Sequence, residues 1–188
     1  YFTYAILFSM IYGLFLGTYA GYWQILTTAI KVPLLLFGTL IVCIPALYTF
    51  NILLGSKLSF KQTLCILLIS TYLISLILVS LSPIMFFFIF STRTHDFVTL
   101  LNVIFFSISG FFGVSLLWKG MKYLTIRSGY EPNMAILKTW SIIYMFVGTQ
   151  LAWTLRPFVG AKEAFALFRK IEGNFYIYLF QLIGGFFN

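Results

Sequence analysis

Charge is what this sequence has least of. Only four acidic side chains stand among 188 residues, and charged residues of both signs make up 9% of the chain. A soluble domain must present a polar surface, and this composition cannot supply one: 61% is hydrophobic and the mean hydropathy is +1.01. Water is excluded as the folding medium, and the class is integral membrane protein. One histidine and two cysteines leave little to hold a metal. Cys43 and Cys65 both fall in apolar runs and read as small buried hydrophobes, not as a disulfide or a metal pair. His95 and Asp96 are adjacent, so neither can orient the other, and no Ser or Cys nucleophile is placed beside them. There is no H-E-x-x-H, no paired aspartate inside an apolar run and no Gly-rich phosphate loop. These absences point away from an enzyme.

Twelve Lys and Arg give a net charge of +8, but they are spread between the apolar runs. That is the pattern of juxtamembrane residues facing anionic lipid. No basic run with interleaved aromatics tracks a nucleic-acid backbone, so nucleic acid is not an expected partner. The 23 Phe and 12 Tyr suit pigment or lipid packing, but the codon bias of an AT-rich genome is the favoured cause.

What is present is a series of long apolar runs. They predict an all-α, polytopic membrane helix bundle of about five transmembrane helices with a short C-terminal interfacial helix. Residues 1–158 form the bundle and 159–188 an amphipathic segment. The first span is expected over residues 1–20, where Gly13, Gly17 and Gly21 recur every fourth position and leave a strip that another helix can approach closely. A connection to Lys31 follows, with Pro33 in the first turn of a second span over 32–54. Pro45 should kink that span. The third begins near Thr63, and its run to Phe90 is about 42 Å long if helical, against a hydrocarbon core of about 30 Å. A break or sharp kink is expected at Ser82-Pro83, with Ile84–Phe90 bending along the surface or continuing at an angle. Residues 91–96 read as a polar loop. The fourth span, 97–118, contains Asn102 and a second pair of small residues, Ser109 and Gly113, whose face is a candidate partner for the first span. A long connection leads to a fifth span, 139–155, which should stop at Arg156-Pro157.

Beyond Pro157, Ala164, Phe165, Phe168 and Ile171 share one helical face and Lys162, Glu163, Arg169 and Lys170 the other, as in an interfacial helix. Arg156 can pair with Glu172 or Glu163 and clasp this helix under the bundle. The connections after spans two and four hold Lys57, Lys61, Lys119, Lys122, Arg127 and Lys138, which by the positive-inside rule places them on the cytoplasmic or stromal side. Asn51, Asn102 and Gln150 are the intramembrane amides, and interhelical hydrogen bonding is their expected use. No span centre is expected to hold a charge, which proton- and ion-coupled carriers usually need. A small-solute transporter or channel is thus the second reading, after a non-enzymatic accessory, assembly or structural subunit of a larger membrane complex.

Gly21-Tyr-Trp23-Gln24, Lys31-Val-Pro33, Leu47-Tyr-Thr-Phe-Asn51, Leu54-Gly-Ser56 and Gly148-Thr-Gln150 precede a longer block: Trp153-Thr-Leu-Arg156-Pro157-Phe158, then Phe168-Arg169 and Glu172-Gly-Asn-Phe175. Together they resemble a family of small polytopic membrane proteins of cyanobacteria and other bacteria with algal-plastid relatives. The Arg-Pro-Phe to Glu-Gly-Asn-Phe block is the most specific part. The resemblance implies a thylakoid or other internal membrane, and photosystem or antenna proteins as partners beside membrane lipids. It brings no assigned cofactor. A photosynthetic complex would allow bound chlorophyll, carotenoid or lipid, with His95 as a candidate magnesium ligand.

Overall fold

The computed structural model describes residues 1–19, 22–53, 59–92, 95–127 and 134–155. They form an all-helical structure: α1 (Phe2–Gly17), α2 (Tyr22–Leu53), α3 (Phe60–Thr92), α4 (His95–Arg127) and α5 (Met134–Leu155). Helix is what an apolar chain must form in lipid, where each backbone N–H and C=O has to be satisfied within its own segment. Three stretches are long and apolar enough to cross a bilayer: Ile25–Thr49, Phe60–Thr92 and Asp96–Leu124. They fit an integral membrane protein, and the shorter apolar α1 lies beside them.

Several helix limits differ from the sequence expectation. Helix α2 starts at Tyr22, so the connection expected up to Lys31 is largely helix, and Pro33 lies inside α2 instead of in its first turn. Helix α3 starts at Phe60 because Ser59 caps it. The Ser59 N–H donates to Gln62 Oε1 at 2.9 Å, and the Gln62 N–H donates to Ser59 Oγ at 3.3 Å. This is a capping box, and its Ser-x-x-Gln signature is visible in the sequence. The break expected at Ser82-Pro83 does not interrupt α3, which continues to Thr92. Pro83 cannot donate to the Val79 carbonyl four residues back. The Ser82 hydroxyl donates to that carbonyl instead, at 2.6 Å, so the orphan acceptor is satisfied and the helix persists. The polar loop expected at 91–96 shrinks, since His95 and Asp96 already belong to the first turn of α4, where a carboxylate favours the helix dipole. Helix α4 runs on past Trp118 to Arg127.

The helices pack in two storeys. Helix α1 lies antiparallel along the first half of α2, with the Phe2 and Phe37 rings 5.0 Å apart. It runs parallel to α3, with Phe15 5.6 Å from Phe86. Its side chains Tyr12 and Leu16 share a core with Val32, Leu36, Leu78, Met85, Val98 and Phe105. Helix α5 occupies the other half. Trp140 closes a second core with Leu40, Cys43, Leu47, Leu67, Leu117 and Met121. Helices α2, α3 and α4 run through both storeys, while α1 and α5 each serve one.

Candidate functional site

Polar groups inside the bundle are the candidates for function, because an unsolvated dipole in lipid is retained only if something holds it. Asn102 is fully buried on α4. Its Oδ1 accepts a hydrogen bond from the Tyr12 hydroxyl at 2.5 Å, which ties α4 to α1. The Tyr12 ring stands edge-on to Phe106, 5.9 Å away. Nδ2 of Asn102 has no hydrogen-bond acceptor among the described residues. In the other storey the Ser70 hydroxyl is equally unpaired. It lines a small cavity of about 10 Å³ together with Thr71, Gly113, Trp140 and Tyr144, which is room for one water. The Trp140 indole donates to the Cys43 carbonyl at 3.2 Å, and the Trp118 indole to Ser141 Oγ at 2.7 Å. The remaining buried hydroxyls mostly return to their own helix: Thr39 to Leu35, Thr71 to Leu67, Ser75 to Tyr72 and Ser109 to Phe106.

Tyr12→Phe should therefore strip Asn102 of its one partner while leaving the amide buried. The expected cost is about 1–2 kcal/mol, the upper part of the range for interhelical hydrogen bonds in membranes. SDS titration of the purified protein in mixed micelles measures it. Adding Asn102→Leu to that variant should recover part of the loss, because then no orphan amide remains.

The glycine strip meets a different neighbour from the one expected. A Cβ at Gly13 would lie 2.6 Å from the Thr28 carbonyl oxygen and 2.8 Å from Ala29 Cα, so α1 rests on the backbone of α2 there. Gly17 is buried at the end of α1, and Gly21 lies outside the described residues. Gly113 on α4 faces the Ile74 side chain and the Ser70 carbonyl of α3, so it packs on α3, while α4 meets the first helix nearer its own start, at Asn102. Ser109 is fully buried one turn earlier. Gln150 is half-buried in α5. Asn51 and His95 belong to α2 and α4, and their side chains lie outside the described set. Arg156, Glu163 and Glu172, the expected clasp, also lie outside it, as does the stop at Arg156-Pro157. Cys43 is buried as expected, but Cys65 is exposed on the outer face of α3. The apolar run it belongs to is solvated by lipid, so membership of the run does not imply burial. Among the described residues no three His, Cys, Asp or Glu side chains gather as metal ligands.

Lys31 is the residue that sequence reading misplaces. It is expected at the near edge of the second span, yet it lies inside the Ile25–Thr49 stretch and is half-buried. About 14 Å of helix separates it from Tyr22 at 1.5 Å per residue. Val32 and Leu36 belong to the first core and Leu35, one turn further on, packs with Ala152 near the end of α5, so Lys31 lies within the first storey, close to the level at which α5 ends. A charge held there is costly unless its stem snorkels or its head is paired. The signal for this placement is the Tyr-Trp-Gln opening of α2, which starts that helix well before the charge. In a chain with both native cysteines replaced, Lys31→Cys should react with a membrane-impermeant maleimide at least tenfold more slowly than Lys61→Cys, roughly the contrast between a sequestered and an exposed thiol.

Compared with known proteins, the chain matches no family model, no curated sequence and no solved structure.

Proposed function

We propose that the protein is a non-enzymatic subunit of a larger membrane assembly, which it joins through its outward aromatic faces. The observation that carries this reading is the surplus of large apolar side chains left uncovered. Phe87 and Phe90 on α3 and Phe111 and Phe112 on α4 are all exposed, beyond what the chain needs to close its own two cores. Lipid alone places no premium on aromatic rings over aliphatic side chains at mid-depth, whereas contacts with another helix gain from their size and rigidity. The number of crossings belongs to this proposal too: α1 and α5 complete a bundle of about five transmembrane helices. A thylakoid or plastid membrane, with photosystem or antenna proteins as partners, is the finer form of the proposal and rests on the family resemblance alone.

Purification in mild detergent tests it. Co-migration with a large assembly, weakened when Phe87, Phe90, Phe111 and Phe112 are changed together to Leu, is the expected result. A monodisperse monomer from native membranes would overturn it. A second reading, a carrier or channel for a small polar solute, is favoured by Lys31 within α2 and by the unpaired Asn102 amide. Solute flux in liposomes carrying only this protein, abolished by Asn102→Leu, would select it.

A further inference from the structure

Five exposed cations lie at one end of the bundle: Lys61, Lys119, Lys122, Arg127 and Lys138. The helix contacts bring them level. Gly120 rests against Ile66, which sets the start of α3 beside the end of α4. The Trp118–Ser141 hydrogen bond sets the start of α5 beside the same stretch of α4. Along α4, residues 97–118 carry no charge and extend about 33 Å, close to the thickness of a hydrocarbon core. Lys119 then stands at the core boundary, and Lys122, Tyr123 and Arg127 fall in the headgroup layer. Tyr123 is 63% exposed, as suits an aromatic at that interface.

Two of these cations face one groove. Lys122 lies four residues beyond Trp118 and Lys138 three residues before Ser141. In an antiparallel pair, both therefore flank the α4–α5 groove one turn above the Trp118–Ser141 bond. Neither makes an ion pair among the described residues. Two like charges on facing helix edges repel unless an anion lies between them. The geometry points to an anionic lipid as that anion: its headgroup is seated between Lys122 and Lys138, and its acyl chains run down the apolar α4–α5 edge below. Lys61, Lys119 and Arg127 add to the same field. A headgroup is favoured over a soluble ion because the groove opens at headgroup depth and continues into an apolar surface formed by Ile142 and Met145, both exposed and four and seven residues beyond Lys138 on the same face of α5. The inference rests on the membrane reading only, and it holds whether the protein is a subunit or a carrier.

The test is native mass spectrometry of the whole chain released from nanodiscs of phosphatidylcholine and phosphatidylglycerol in equal amounts. The parent should retain phosphatidylglycerol preferentially. Lys122→Gln with Lys138→Gln should reduce that preference by roughly 25-fold, at about fivefold per charge near an anionic surface. Asp96→Asn, at the other end, should leave it unchanged. Should the double variant fail to fold, salt titration of the parent is the second measurement, and the preference should fall as ionic strength rises. Equal retention of both lipids by the parent would overturn the proposal. So would displacement of the lipid by equimolar inorganic phosphate, which would make the occupant a soluble anion. A several-fold rise in retention on Glu131→Gln would identify a carboxylate of the chain as the resident counterion, and would overturn it equally. An acidic protein lost from the preparation with the double variant, without any lipid preference in the parent, would also count against it.

Discussion

Gly13→Ala should detach α1 from α2. A single methyl is enough, because it would meet the Thr28 carbonyl and the Ala29 Cα, and backbone cannot rotate away as a side chain can. Overpacking of this kind costs about 1–3 kcal/mol, and Gly13→Val should exceed the upper figure. In lipid the loss is felt as lost association, since close van der Waals contact is what holds α1 against its neighbour. The measurement is a cross-link through a short bis-maleimide between Phe2→Cys and Phe37→Cys, whose native rings are 5.0 Å apart. It should form readily in the otherwise cysteine-free parent and be lost in the Gly13 variants. Gly110→Ala is the control. A Cβ there meets nothing within 4 Å, so the substitution should be neutral or stabilise α4 slightly through helix propensity. Equal cross-linking in Gly13→Val and the parent would mean that α1 does not rest on α2 as described.

Trp140→Ala should be the most damaging truncation in the other storey. The side chain is 1% exposed, stacks on Tyr144 at 5.1 Å, and spans from α5 to the Cys43 carbonyl of α2. That carbonyl lies two residues before Pro45, in a turn where the proline has already removed one helix donor. Truncation leaves a cavity and frees the acceptor together. Soluble proteins lose about 3–5 kcal/mol on such a change. Here the separated helices expose the residue to acyl chains and not to water, so the transfer part largely cancels and the packing part remains. A loss of about 3 kcal/mol is expected, at the low end of that range, read from the shift in SDS-denaturation midpoint. Trp140→Phe keeps most of the volume and should lose about 1 kcal/mol, the net worth of the hydrogen bond. If both variants shifted the midpoint equally, packing by the indole would not be what anchors α5.

The apolar runs, the scarcity of charge and the interrupting prolines and glycines determined by themselves that this chain is helical and belongs in lipid. They also singled out Asn102 as a buried amide and Gly13 as a point of close approach. The helix limits were less legible. The Ser59-x-x-Gln62 box is easily passed over between two apolar runs. Pro83 reads as a break because the rescue of the Val79 carbonyl by Ser82 is a local geometric fact, and Lys31 reads as an edge because charge is taken to mark one.

Partner choice was beyond sequence altogether. Which helix Gly13 or Gly113 meets, and that Tyr12 finds Asn102 across 90 positions, were decided only when the helices packed. The physical reason is that lipid solvates apolar side chains on every face. In water a hydrophobic stripe announces the inner face of a helix. In a bilayer that contrast vanishes, and shape and a few dipoles choose the neighbours instead.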